Sequence, residues 1–573
     1  MGDFNCIANF EERIGHRVMN SEIQPLRGCM MSCGLHDMKF SGRFYTWTNK
    51  QTGANRVLSK IDRALGNNMW DDKFPNAQTI FLPEGQFDHS PILVQFFKSP
   101  TGVRPFKFCN FWSHKHDFLE VVSKSWNVRI HGCFSFQITQ KLKILKHELK
   151  KAYHTESFQV KLCKLEAEFR EAQTQVHQHP GDPYYAQQEH DLNRALQQEK
   201  HHYSSFMQQR AKVSWLRYGD DNTNIFHRSI NKRRINNCVN FLIMNGNFVT
   251  NPIVIQQSFY EFYSDLLCCE MENRKQIQLQ IIREGCILNQ DQRDLLQLSF
   301  SAQEIKDALW SIPDDKAPGL DGFNSAFYKA SWSVVGDDVV KAVQEFFATG
   351  KLLKAWNISA VTLIPKVACP THPGDFRPIS CCHVLYKCVS KLICSRLKLV
   401  LDSIINPAQG AFVAGRSIVH NVLLCQDVVK HYSRTNCMPS ALLKIDLRKA
   451  YDTMDWQFIK DMLFALQFPT HFIKIIMACI TSTSYSLLIN GHPLDAFQAR
   501  RGLRQGDPMS PLLFVLGMEY LSRTLSYACK SKSFSYHPRC RASKLTHLCF
   551  ADDLMLFCRA DVGSLTVLSL IHI

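Results

Sequence analysis

Alternation of apolar and polar positions is sharpest toward the end of the chain. Thr546 to Cys558, THLCFADDLMLFC, sets two apolar runs either side of Ala551-Asp552-Asp553, which predicts strand, tight turn, strand. Ser440 to Tyr451, SALLKIDLRKAY, reads as an apolar strand ending in Asp446, then a turn, with a helix from Asp455. Arg501 to Pro511, RGLRQGDPMSP, carries the Gly and Pro of a close backbone approach that opens a further helix. Further upstream, Ser301 to Glu304 is a capping box starting the helix IKDALWSI. NGNFVT at Asn245 reads as a hairpin turn. Residues near 135–177 and 185–213 predict long helices broken around His179-Pro180-Gly181-Asp182-Pro183. The chain has no internal repeat and no low-complexity tract.

Chemistry enters with the carboxylates. Adjacent Asp side chains on a turn repel each other and lose hydration, and a bound divalent cation would offset both costs. Other Asp pairs begin at Asp71, Asp220, Asp314 and Asp337, and these read as solvated turns or helix faces. The pair at Asp552 differs because it lies between two short hydrophobic strands. A strand-end Asp446 facing it is what two-metal phosphoryl transfer needs, one ion for the attacking oxygen and one for the leaving oxygen. Mg²⁺ suits such an all-oxygen site, with substrate phosphates completing its shell.

Composition narrows the partner. The net charge is +16 and the pI near 9.0, which favours a polyanion, nucleic acid first. A 45% hydrophobic content argues for packed cores. The 22 cysteines show no zinc-ligand spacing and sit inside apolar segments, so they read as reduced, buried thiols of an intracellular protein. No signal peptide is visible, and no apolar run reaches the length of a membrane span.

KIDLRKAYD, RGLRQGDPMSP and FADD, in that order, resemble the palm of a reverse transcriptase, in the variant of LINE-type (non-LTR) retrotransposons of plants. KAPGLDGF at Lys316, LIPK at Leu363, DFRPIS at Asp375 and QGAFVAGRS at Gln409 match the same family's fingers and palm. The resemblance implies an α+β right-hand polymerase at 291–573, preceded by a mainly helical connector at 98–290. It implies RNA-directed DNA synthesis with two Mg²⁺, an RNA template, a DNA primer and deoxynucleoside triphosphates. Asp446, Asp552 and Asp553 would be catalytic and hold the metal. Lys366 and Arg377 would grip the triphosphate, a task suited to Lys's point charge and Arg's fork. Tyr451 would lie under the sugar and exclude a 2′-OH. Gln505 and Gly506 would border the nascent base pair, with Arg504 and Arg416 at the template–primer. A nuclear location is expected from the family.

Residues 1–97 carry GDFN, KIDR and DHSP, which resemble the C-terminal part of the endonuclease/exonuclease/phosphatase fold, a β-sandwich that nicks DNA in LINE elements. By that resemblance Asp3 and Asn5 would contact the phosphate and nucleophile, Asp88 and His89 would be catalytic, and Asp62 would orient His89. Phe87 stands where the family has Ser, and the half with the metal-binding Glu is absent, so the remnant is expected not to cleave DNA. The thumb and any terminal zinc knuckle are likewise missing after Ile573, which predicts a weak hold on primer–template. In the connector, RPFKFCNFW at Arg104 reads as either a base-stacking surface or a packed aromatic anchor. Arg228, Lys232, Arg233 and Arg234 read as either a template-binding patch or a solvated face. The alternative to an active polymerase is a catalytically silent retroelement remnant that at most binds nucleic acid.

Overall fold

The computed structural model describes residues 1–74, 76–97, 105–153, 158–212, 223–270, 274–367, 369–430, 432 and 438–571. The first module contains strands β1 (Gly2–Asp3), β2 (Asp62–Arg63), β3 (Ala77–Phe81) and β4 (Ile92–Phe96). β1 pairs antiparallel with β2, β3 pairs antiparallel with β4 and parallel with the short strand Phe40–Gly42, and the remaining short strands form separate pieces of two or three. Its apolar clusters are small, one around Ile7, Ile23 and Ile61 and another around Met38, Ala64 and Ala77. A fully buried Arg63 cross-links the pieces, pairing with Glu12 and, at 2.6 Å, with Asp37. The module leans on the rest of the chain: the Lys39 ammonium donates to the Cys238 carbonyl, and the Asn240 amide to Gln78 Oε1 at 3.1 Å.

The connector contains α1 (Phe134–Ala152), α2 (Phe158–Gln178) and α3 (Pro183–Ala211). The single helix expected over 135–177 is thus two helices, with 154–157 outside the described residues. The break at His179 to Pro183 stands where the sequence placed it. Asp182 accepts from the Tyr184 amide, and Pro183 occupies the first helical position, where it needs no N–H. Phe106, Phe108, Phe111 and Trp112 are buried, so the aromatics of RPFKFCNFW form a packed anchor, while Arg104 lies outside the described residues. Arg233 donates to the Ala211 carbonyl at 2.8 Å and caps the end of α3, while Lys232 and Arg234 are exposed. The Arg228 side chain and residues 213–222 lie outside what is described. One core runs from Phe106 to Met518, so the segments 98–290 and 291–573 share a core and are not separate packing units.

Beyond the connector, Ser301 accepts from the Glu304 amide and starts α4 (Ala302–Trp310). Then follow β5 (Ile358–Pro365), β6 (Phe376–Cys381), α5 (Val384–Ile404), α6 (Ile418–Val429), β7 (Ser440–Asp446), α7 (Trp456–Ala465), α8 (Thr470–Thr481), β8 (Ser484–Ile489) and α9 (Ser510–Ala528). The hairpin β9 (His547–Phe550) and β10 (Asp553–Arg559) comes last. β5 pairs antiparallel with β6 and parallel with β8, and β10 lies between β7 and β9. α5 and α9 each contribute a long run of buried apolar side chains to the shared core. No helix among the described residues is long and apolar enough to cross a membrane. The described cysteines are free thiols. Those in the large shared core, such as Cys388 and Cys479, are buried as expected, whereas Cys29, Cys33, Cys133, Cys163, Cys269 and Cys286 are exposed.

Two buried ion pairs lock these layers. In α9, Arg523 bonds Glu519 at 2.7 Å and donates to the carbonyls of Ile282, Cys286 and Ile404. Glu519 also accepts from the Asn406 amide, so the pair fastens α9 to the end of α5. In RQGDP, Arg504 lies 3.0 Å from Asp507, with both side chains almost wholly buried. Asp507 accepts from Tyr386, Ser390 and the Met509 amide, and Arg504 donates to Asn357, Ser359 and the Cys479 carbonyl. Arg504→Met leaves Asp507 buried and charged, which is expected to cost about 3–5 kcal/mol. The check is the urea midpoint of the unfolding transition reported by the polymerase-region tryptophans. Adding Asp507→Asn is expected to recover at least about 1 kcal/mol, because no buried charge then remains. A double variant less stable than Arg504→Met would contradict the assignment.

Candidate active site

The palm site is built on strand register. Asp446, at the end of β7, is the direct partner of Asp553, at the start of β10. Directly opposed residues point to one face of the sheet, so two carboxylates face each other where like charges are unfavourable. Asp552 sits in the two-residue turn between Phe550 and Asp553. Asp446 and Asp553 are exposed and Asp552 is half-buried. The Lys444 ammonium lies 3.8 Å from Asp553, an exposed pair of small energetic weight.

The turn is held by QGAFVAGRS. Ala551 adopts φ 56°, a left-handed conformation rare for a residue with a Cβ. The buried Gln409 side chain accepts from the amides of both Ala551 and Ala411. Gly410 donates to the Cys549 carbonyl, and Cys549 donates to that of Ala408. The backbone strain at the turn is therefore held by a second segment. The sequence marked that segment only as a family motif and assigned Gln409 no role.

Tyr451 is half-buried and stacks on Phe514, with centroids 4.5 Å apart and planes at 16°. Burial first, and then the Asp552 carboxylate, push its pKa up to about 12. Gln505 donates to Asp452 at 3.1 Å, and its carbonyl accepts from the Ser380 amide on β6. Gly506 has φ +112°, and a Cβ there would stand 2.8 Å from the Ser380 carbonyl oxygen. Only glycine lets the loop approach the finger strand so closely. Asp452 is buried and its pKa is raised by that burial, partly countered by Gln505, Lys449 and Lys366. The sequence reading missed this residue, although it ends KIDLRKAYD. Lys366 and Arg377 are both exposed on the β5–β6 hairpin, and Lys366 donates to the Gly374 carbonyl at 3.1 Å.

Two expected template–primer contacts are corrected. The Arg504 guanidinium is consumed inside the protein by the Asp507 network and is not accessible. Arg416 caps α5, donating to the carbonyls of Asp402, Ile405, Asn406 and Gln409.

Three His, Cys, Asp or Glu side chains do not gather closely enough, anywhere among the described residues, to hold an ion by themselves. The palm donors are nevertheless hard oxygens, the kind that suits Mg²⁺, an ion commonly held by one or two carboxylates plus substrate phosphates. A cavity of about 460 Å³ beside α6, lined by Leu424, Asp427 and Arg539 among others, contains none of these groups. The palm site is an open surface.

The first module assembles its own group. β1–β2 register sets Asp3 opposite Asp62, and His89 Nδ1 lies 3.0 Å from Asp62 Oδ2. Trp47 Nε1 donates to Asp88 at 3.3 Å, and the Asn5 amide to Asp3 at 2.8 Å. Burial works to lower the His89 pKa, but the Asp62 hydrogen bond and charge, with Asp3 and Asp88, outweigh it and leave it raised. Phe87 beside this group is exposed.

Residues 364–571 match the family model described as reverse transcriptase (RNA-dependent DNA polymerase). The chain is 31% identical over 233 residues to the transposon TX1 uncharacterized 149 kDa protein of Xenopus laevis, covering 41% of this chain and 18% of that protein. It is 29% identical over 277 residues to the Pol polyprotein from the type-2 retrotransposable element R2DM of Drosophila melanogaster, covering 47% and 25%. A third relative is the Pol polyprotein from the type-1 retrotransposable element R2 of Nasonia vitripennis, 25% identical over 302 residues, covering 51% and 28%. The chain thus spans under a third of the length of each of these relatives. Its second half carries a reverse transcriptase domain, similar to those of non-LTR retrotransposons.

Proposed function

We propose that the chain is the RNA-directed DNA polymerase of a LINE-type element of plant type, transferring deoxynucleotides to a primer 3′-OH. The observation that carries this is the register of Asp446 against Asp553, with Asp552 in the adjoining turn, inside the matched domain. Two Mg²⁺ ions, when held by these three carboxylates, would supply positive charge at the reacting phosphate and its attacking and leaving oxygens. Lys366 and Arg377, exposed on one hairpin, neutralise the triphosphate. Tyr451, fixed against Phe514, presents its ring beneath the sugar and selects against a 2′-OH. Gln505, held by Asp452, borders the nascent pair, and Gly506 keeps its loop against the finger strand.

Primer extension on an RNA template with purified protein tests this. Asp552→Asn is expected to abolish extension while leaving RNA affinity within about twofold, and undiminished extension would overturn the assignment.

We further propose that the first module is a relic of an endonuclease-like domain that no longer cleaves DNA. The His89–Asp62 pair supports the ancestry, and the exposed Phe87, where the family has Ser, supports the loss. Plasmid incubated with the chain and Mg²⁺ is expected to stay supercoiled. Nicking that disappears in His89→Ala would refute this.

The dyad itself is checked by titration. His89 is expected to titrate above the ordinary value near 6.5 by NMR, and Asp62→Asn to lower it. With the folded pKa raised, the linked stability is complete below about pH 6.5 and is lost as pH rises through the folded value.

A further inference from the structure

The outer end of the finger hairpin is short of support from its own sheet. β5 pairs with β8 only from Ile358 to Thr362. Leu363, Ile364 and Pro365 continue past that point and pair with Pro378, Arg377 and Phe376 of β6. A two-stranded ribbon by itself is marginally stable in water, and Pro365 and Pro378 bring no amide donors to this one. Lys366 and Arg377 stand at this end.

Contacts from outside the sheet reach the same end. The Ile243 amide donates to the Thr371 carbonyl, in the loop joining β5 to β6, at 2.9 Å. Asp375 accepts from the amides of Thr371 and His372 at 2.9 Å each, and the Lys366 amide donates to the Asp375 carbonyl at 2.8 Å. Whatever holds residues 238–244 therefore also steadies Lys366. Val239 and Leu242 root that segment in the large core. The Val239 backbone exchanges two hydrogen bonds of 2.8 Å with the Asn490 side chain, just beyond β8.

The remaining holds come from the first module. The Lys39 ammonium donates to the Cys238 carbonyl. The Cys238 thiol donates to Asn240 Oδ1 at 3.0 Å, which turns the Asn240 NH2 toward Gln78 Oε1, 3.1 Å away. Gln78, on β3, is 2% exposed, so this bond is shielded from water and losing it would leave a buried acceptor unsatisfied. The Cys369 thiol, in the hairpin loop itself, lies 3.9 Å from the Phe40 carbonyl oxygen. A second route runs through helices: Asn68–Lys73 of the module lies beside Thr223–Asn237, and that helix lies beside β5.

We propose that the first module is an intramolecular brace for the outer end of the β5–β6 hairpin, holding Lys366 and Arg377 in position. The module then has a function that does not depend on cleavage. Its consequence for nucleotide binding rests on the polymerase reading.

The test is hydrogen–deuterium exchange with mass spectrometry on the full chain and on Lys39→Met/Gln78→Met, whose substitutions both lie in the first module. Loss of one net hydrogen bond shifts an opening equilibrium about fivefold, so peptides spanning 363–378 are expected to exchange about fivefold faster. Peptides spanning β7 and β10 are expected to match the parent. The control, Met31→Ala/Gln51→Ala at two exposed positions of the same module, is expected to match it throughout. Should the double variant unfold the module, Lys39→Met alone takes its place and is expected to accelerate the same peptides. Unchanged exchange at 363–378, or equal acceleration in the control or along the whole chain, would overturn the brace. Primer extension by the same proteins is read separately. The variant is expected to show a KM for deoxynucleotide raised about fivefold with kcat within about twofold of the parent. An unchanged KM beside faster exchange would overturn the link to nucleotide binding. No extension by the parent removes the polymerase reading, and exchange alone then decides the brace. Extension with unchanged exchange removes the brace alone.

Discussion

The buried pair Arg504–Asp507 organises the polymerase half. It sits in a loop whose hydrogen bonds reach the start of β5, helix α5, the end of α8 and the start of α9. Two charges with so little solvent demand full satisfaction, and every partner here supplies part of it. The same loop then places Gln505 and Gly506 against the finger strand. The pair therefore fixes this loop against strand β6, and Gln505 and Gly506 inherit their positions from it.

A second constraint acts on the turn between β9 and β10. Asp552 and Asp553 follow an Ala held in left-handed backbone, a conformation of appreciable cost for any residue with a Cβ. Gln409 meets that cost by accepting from the turn, and the parallel bridge from Gln409 to Cys549 fixes the hairpin from outside. Opposed carboxylates and a strained turn are both unfavourable for folding alone. Both unfavourable features coincide at one sheet end, and backbone strain of this kind clusters at functional sites.

The first module contrasts with this. Its described apolar clusters are small, and its coherence depends on Arg63 with Glu12 and Asp37. Yet the short pairing of β1 with β2 is enough to bring Asp3 opposite Asp62 and to leave His89 within hydrogen-bond reach. Hydrogen-bond register can preserve a constellation where the surrounding core is slight.

Local patterns determined much of this by themselves. The capping box at Ser301, the cap and proline at Asp182 and Pro183 and the Asn245-Gly246 hairpin rest on contacts within a few residues, so the sequence showed them directly. It also pointed to the three palm aspartates, because each ends a strand or occupies a turn. Long-range contacts decided the rest. Charge type alone cannot separate an arginine facing solvent from one caught in a core, so Arg504 and Arg416 looked like template contacts until packing showed what they bind. Asp452 and Gln409 carried no local signal, since their partners lie 53 and 142 residues away in Gln505 and Ala551.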